Sequence, residues 1–236
     1  MESIETIFTD IGGTFLTSPE EITGKLKHIK AFLFDWDGVF NNGEKNENGS
    51  SNFSEVDSMG TNMLRFSSWL QHKQISLTAI ISGERNSASF SFATREHFNS
   101  SYYKILHKIE ALDHFCKLNQ LKRDEIAYVF DDVLDISIAK VCGLRILVNR
   151  KANPLFSELI RKNNWADYIT AAESGNFAVR ETCELLMGLT GNYDEAITCR
   201  SDYTEDYKQY LGARDKVITT FFMQSTDQII EKDPRK

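Results

Sequence analysis

The chain has 236 residues, 41% of them hydrophobic, and a formal net charge of −7 with an isoelectric point near 5.3. That length and apolar content suit one domain with a full core. The acidic balance, with both signs mixed throughout, excludes general nucleic-acid binding, which needs a basic face, and no apolar run is long enough to span a membrane.

The first 27 residues form an N-terminal extension holding "IFTDIGGTF", with a single carboxylate at Asp10. The next segments alternate between short apolar runs and helix-length stretches. "KAFLFD", "ISLTAIIS", "EIAYVFDD" and "LRILVN" read as strands buried on both faces, being nearly continuous in apolar and β-branched residues. "GTNMLRFSSWLQHK", "KIEALDHFCKLNQL" and "VLDISIAKVCG" carry helical spacing, with Gly143 a C-cap candidate in the last. Strict alternation of strand and helix predicts a three-layer, Rossmann-like α/β fold with a mostly parallel central sheet. Between the first strand and its helix, "NNGEKNENGSSNF" is polar, and its Asn48-Gly49 suits the turn of a protruding β-hairpin over about residues 40–55. Residues 28–190 are thus one domain, and 191–236 read as a helical extension, opened by a cap at Thr204, with a fraying tail. The acidic start shows no signal-peptide pattern. Four scattered cysteines without C-x-x-C spacing read as free thiols, so a soluble cytoplasmic protein is expected. The five histidines form no metal-ligand pattern.

In a parallel sheet, reactive groups collect at the carboxyl ends of strands. Asp35 ends the first strand, Ser82-Gly83 the second, and Asp131-Asp132 a third, while Lys108 opens a helix. Together these residue types fit phosphoryl transfer. Asp35 can attack phosphorus and hold an aspartyl-phosphate; Asp37, aimed differently from Trp36, can protonate the leaving oxygen and later activate water. Carboxylates facing a phosphate dianion repel it. Mg²⁺ held by Asp35 and Asp131 would relieve this, with Lys108 adding positive charge and Ser82 and Gly83 offering an O–H and an N–H to phosphate oxygens. Alone, each feature also has a plain structural explanation, a capped helix for Ser82 or a turn for Asp131-Asp132; their order along the chain favours chemistry.

"FLFDWDGVF", "AIISG", Lys108 and "YVFDDVLD" resemble, in order, the four motifs of the haloacid dehalogenase superfamily. "EVDSMGTNML", "SSYYKILHKIEAL", "KVCGLRILV" and "WADYITAAESGNFAVRETCELLM" extend the resemblance to its 3-deoxy-manno-octulosonate 8-phosphate phosphatase group, over roughly residues 28–190. The resemblance implies Asp35 as nucleophile, Asp37 as acid/base and, through its backbone carbonyl, a metal contact. It further implies Asp131 as Mg²⁺ ligand, and Ser82 and Lys108 as phosphate ligands. The stretches between the motifs leave no room for a cap domain, and the group closes its sites by forming tetramers through such hairpins, so a homotetramer is expected. The echo around Asp10 has Gly12 where a second carboxylate would stand.

Departures from the group lie around the substrate. Phe130 replaces a glycine before Asp131, either crowding the metal site or walling a substrate pocket, and leaves Asp132 as the alternative metal ligand to Asp131. Val56-Asp57-Ser58 keeps an acid but loses an arginine and a glycine, and "SGNFAVRE" keeps Gly175, Arg180 and Glu181 but has Phe177 for a glycine. Glu84, Arg85 and Arg180 become candidates for substrate selection, a surface ion pair being the alternative for the two arginines. The expected function is a Mg²⁺-dependent phosphomonoesterase acting on a small phosphate ester, an acidic sugar phosphate other than the group's namesake, with no nucleic-acid or membrane partner. The alternative is a catalytically weak tetrameric assembly or sugar-phosphate-binding module.

Overall fold

A computed structural model describes residues 3–226 and 228–235. The extension begins with α1 (Ile4–Asp10), β1 (Thr14–Phe15) and α2 (Pro19–Leu26); Ser18 and Glu21 form a reciprocal capping box at the start of α2. The body follows as β2 (Ala31–Phe34), α3 (Glu55–His72), β3 (Leu77–Ile81), α4 (Ser87–Arg95), β4 (Ser100–Tyr103), α5 (Lys108–Asn119), β5 (Ile126–Phe130), α6 (Ile136–Ala139), β6 (Leu144–Asn149), α7 (Pro154–Asn163), β7 (Tyr168–Glu173) and α8 (Ala178–Thr190). The chain closes with α9 (Tyr193–Ser201), α10 (Glu205–Arg214), β8 (Thr220–Ser225) and β9 (Gln228–Glu231).

Among the described residues the strands form one sheet of nine, in the order β1-β7-β6-β5-β2-β3-β4-β8-β9. The outermost pairings, β1 with β7 and β8 with β9, are antiparallel, and the six between them are parallel. The expected layered α/β architecture is thus the observed one. Period-two alternation sorts the core. Phe32, Phe34, Ala127, Val129 and Ile146 face α3 and α8, while Ala31, Leu33, Ile126, Tyr128, Phe130 and Leu147 face α5, α6 and α7. Each fully buried aromatic or aliphatic side chain contributes roughly 1.5–3 kcal/mol of transfer free energy. No helix of the described residues is long and apolar enough to cross a membrane. The four cysteines are free, and all but half-buried Cys199 are buried.

Four expectations change. The predicted hairpin keeps its turn but not its strands. Asn46 N–H donates to Ser50 O and Gly49 N–H to Asn46 O, with Gly49 at φ +71°, yet no ladder flanks them. The segment folds onto the body, burying Ser50 and Ser51, because its hydroxyls find polar partners there. Part of the expected fraying tail is ordered: residues 222–225 pair with 228–231, and β8 pairs with β4, burying Phe221 and Phe222. Thr204 stands at the N-cap of α10 without a side-chain capping bond, its hydroxyl donating instead to Cys199 O. The stretch from Val133 splits into a 3-10 turn (Val133–Asp135) and the single-turn α6, and Gly143 lies past its end, packed on the Asp124 backbone.

Candidate active site

Parallel β2, β3 and β5 deliver their next residues to one end of the sheet. Asp35 N–H extends the ladder to Val129 O, which sets Asp35 beside Asp131, and Ser82 follows β3. Lys108, the first residue of α5, closes the group. Its ammonium lies 2.7 Å from Asp35 and 2.6 Å from Asp135, all three side chains being buried. A cavity of about 280 Å³ opens here, lined by Asp35, Asp37, Ser82, Gly83, Lys108 and Asp131, with Lys45, Glu84, Asp132, Leu134, Asp135 and Arg150 around them.

The carboxylates of Asp35, Asp131 and Asp135 each offer an oxygen within 4.8 Å of the others. Burial and then the Asp135 charge push the Asp35 carboxyl up to about 7, against the pull of Lys108. Burial, then Asp35 and Asp135, push Asp131 up to about 8, against Arg150 and Lys108. Burial alone would lower Lys108, but the Asp135 and Asp35 carboxylates outweigh it and hold the ammonium above its ordinary value. Three carboxylates thus face two cations, and full ionisation of all three is disfavoured without a further positive charge. Among the described residues Asp131 Oδ1 is buried without a hydrogen-bond donor. Three oxygen donors, crowded charge and an orphaned oxygen fit a hard divalent cation such as Mg²⁺.

The site differs from the sequence expectation at Asp132, at Arg85 and Arg180, at Gly83 and at Phe130. Asp132 is exposed, and its carboxylate accepts the Val133 N–H at 2.7 Å, capping the 3-10 turn; the acidic cluster takes Asp135 instead. Asp37, expected to meet the metal through its backbone carbonyl, has its carboxylate outside that cluster, bound by Lys45 at 2.9 Å and by the Ser51 hydroxyl. Arg85 donates to Pro234 O beside the Phe90 ring, and Arg180 pairs with Glu184 at 2.6 Å on α8; neither lines the cavity. Gly83 lines the cavity but does not open a helix, since α4 starts at Ser87 with Asn86 as its cap. Phe130 neither crowds the metal site nor walls the pocket. It is fully buried on the α5–α7 face, stacked on Tyr128 with centroids 5.9 Å apart.

Sequence reasoning missed Asp135, Arg150 and Lys45. Asp135 receives Lys108, the Tyr128 hydroxyl and the Asp132 N–H, and its signal was the spacing Asp132-x-x-Asp135. Arg150 Nη2 lies 2.5 Å from Asp131 Oδ2 and directly follows β6, where the strand-end rule that singled out Asp35 would have found it. Gly38, at φ +90°, makes room for this pair: a Cβ there would sit 2.0 Å from Asp131 Oδ2 and 2.4 Å from Arg150 Nη2. Lys45 had no signal beyond a polar loop.

Away from the cavity, Asp57 accepts the Arg180 N–H at 2.9 Å between α3 and α8. Burial pushes its carboxyl up to about 6, against that N–H and the Arg180 charge. A carboxyl raised on folding contributes stability that is fully present below about pH 4 and lost as pH rises through about 6. Asp57→Asn, neutral throughout, should therefore change unfolding free energy more favourably at about pH 7.5 than at about pH 4, by up to about 3 kcal/mol. Urea denaturation of both proteins at both pH values checks this; a pH-independent difference would refute it.

No family model matches the chain. The 3-deoxy-D-manno-octulosonate 8-phosphate phosphatase of Escherichia coli is 28% identical over 180 residues, covering 75% of this chain and 88% of that protein. A Legionella pneumophila structure described as a HAD superfamily (subfamily III A) hydrolase superposes with TM-score 0.64 at 28% identity, covering 78% and 95% of the two chains. The 3-deoxy-D-manno-octulosonate 8-phosphate phosphatase of Moraxella catarrhalis, solved with magnesium ion, phosphate ion and a KDO molecule, gives TM-score 0.63 at 28% identity, covering 77% and 98%.

Proposed function

We propose, from the premise that the chain is a phosphatase of the haloacid dehalogenase superfamily, that it hydrolyses an acidic sugar phosphate with Mg²⁺ through an aspartyl-phosphate on Asp35. The observation that carries this is the buried Asp35–Lys108–Asp131–Asp135 cluster at the carboxyl end of a parallel sheet. Asp35, Asp131 and Asp135 would hold Mg²⁺, which when bound supplies positive charge to the phosphoryl oxygens. Lys108, fixed between Asp35 and Asp135, holds the attacking carboxylate in place and adds a second positive charge. Ser82 Oγ accepts the Glu84 N–H at 3.3 Å, which leaves its own proton to offer a phosphate oxygen.

As the bond from Asp35 to phosphorus forms and the bond to the alcohol breaks, the alcohol oxygen takes a proton from Asp37. In the second half Asp37 takes a proton from the attacking water, and the Asp35 carboxylate is released. For a polyhydroxylated substrate, a second cleft of about 340 Å³ includes Asn42, the chain neighbour of Gly43 in the first, with Asn52, Ser174 and Asn176, whose amides and hydroxyl suit hydroxyl groups. Arg150, which lines the cavity, supplies a cation for an acidic group, whereas Arg85 and Arg180 do not line it. A homotetramer would cover the open mouth, where Leu106, Val133, Leu134 and Leu155 stand exposed after β4, β5 and β6.

The test is phosphate release from octulosonate, neuraminate and hexose phosphates before and after chelation. Metal removal should lower the rate roughly 10²-fold or more, with Mg²⁺ restoring it and raising the melting temperature of the metal-free protein. A folded protein that binds Mg²⁺ but hydrolyses none of these would favour a non-catalytic binding module.

A further inference from the structure

Asp37 is held by a directed chain of hydrogen bonds that starts in the helix cap of α4 and runs through the 41–54 loop. Asn86 is fully buried, and its Oδ1 accepts the Ala88 N–H at 3.0 Å. A backbone N–H can only donate, so this contact fixes the orientation of the amide. Ser50 Oγ, which donates to the same Oδ1 at 2.9 Å, agrees with it. Asn86 Nδ2 is then the donor facing Ser51 Oγ at 3.2 Å and Asp37 Oδ1 at 3.4 Å. Ser51 Oγ accepts from the amide, which turns its own proton to Asp37 Oδ1. The other carboxylate oxygen, Oδ2, meets Lys45, whose side chain is one-third exposed and lines the cavity.

The two oxygens of Asp37 are therefore unequal. Oδ1 is held by the buried, neutral Ser51 and Asn86 donors, and Oδ2 by Lys45, a partly exposed cation that lines the cavity. We infer that Ser51 and Asn86 position Asp37 by its Oδ1, with Lys45 guiding Oδ2, so that Oδ2 is the oxygen that exchanges protons with the leaving group and with water. This rests on Asp37 being the acid/base proposed above. Lys45, Ser51 and Asn86 touch Asp37 rather than the reacting atoms, so they are positioning residues. Their function is to fix the plane of a carboxyl whose proton transfer is sensitive to small displacements.

The leaving group separates positioning from mere structure. An alkoxide is too basic to depart without a proton, whereas p-nitrophenolate departs without one. The quantity to measure is the ratio of kcat/KM on p-nitrophenyl phosphate to kcat/KM on an alkyl phosphate, because kcat/KM reports the half-reaction in which the leaving group departs. Asp37→Asn should raise that ratio on the order of 10²-fold. Ser51→Ala and Lys45→Met should each raise it roughly tenfold, with Lys45→Arg returning it most of the way. Melting temperatures near that of the parent show that the variants are folded; Asn86 is left unmutated because it also caps α4. If Asp37→Asn raises the ratio while Ser51→Ala and Lys45→Met both stay within about twofold of the parent, the positioning network is wrong and the acid/base reading stands. If Asp37→Asn itself leaves the ratio unchanged, the acid/base reading fails and the inference falls with it.

Discussion

Asp35→Asn is expected to lower turnover on the order of 10³-fold or more while leaving the protein folded. The amide keeps the size of the carboxylate but is a very poor nucleophile toward phosphorus, so no covalent intermediate forms. Folding should survive because Lys108, buried with Asp35, retains Asp135 at 2.6 Å and is not left as an unpaired interior charge. The substitution also removes one of three crowded carboxylates, so the melting temperature without metal should hold or rise. Steady-state phosphate release with thermal melting measures both halves. Turnover within tenfold of the parent would mean that Asp35 is not the nucleophile, and a collapsed fold would mean that its charge is structural.

The second large effect lies far from the cavity. Asp167→Ala should destabilise the protein by about 3–5 kcal/mol, the range for removing one partner of a buried ion pair. The Asp167 side chain is fully buried and anchors three elements at once. Thr17 Oγ1 donates to it at 2.7 Å, Lys25 Nζ lies 2.5 Å away, and Arg145 reaches it through its N–H at 2.8 Å and its guanidinium at 2.9 and 3.0 Å. The same residue's carbonyl accepts from Leu16 and Thr17. Burial alone would raise its carboxyl, but the Arg145 and Lys25 hydrogen bonds outweigh this and hold it below its ordinary value. A depressed carboxyl contributes stability above its unfolded pKa and loses it as pH falls through the folded one, so the penalty of the substitution should shrink in acid. Urea denaturation near neutrality and near pH 3 gives both numbers. A loss under about 1 kcal/mol at neutrality would show that water replaces the network at little cost.

How much of this was legible depends on whether a local rule governed the residue. The strands around Asp35 and Asp131 were readable because burial on both faces demands unbroken apolar runs, and β6 came out with its observed ends. Ser82 followed from the strand-end rule, and Lys108 from its place at the start of a helix in the order of the motifs. Asp132 against Asp135 was not decidable that way. Both are acids next to a strand, and the choice turned on a single 3-10 turn that directs Asp132 to its neighbour's N–H and Asp135 inward. Lys45 and the Ser51–Asn86 bonds were invisible because they depend on the path of an irregular loop. β8 was hidden because its two buried residues, Phe221 and Phe222, are adjacent and flanked by half-buried ones, giving neither alternation nor a long apolar run, and its partner β4 lies more than half the chain away.

The sheet order has one more consequence. The outermost strands are β1, two residues long, and β9, whose Gln228 and Glu231 are exposed. A passing strand from another molecule would find at one side too few free N–H and C=O groups to pair with, and at the other a charged side chain in its way. The chain's first and last strands thus serve as guards against edge-to-edge aggregation. A large, strongly apolar parallel sheet is kept from templating its own fibrils by two short segments that contribute little to its core.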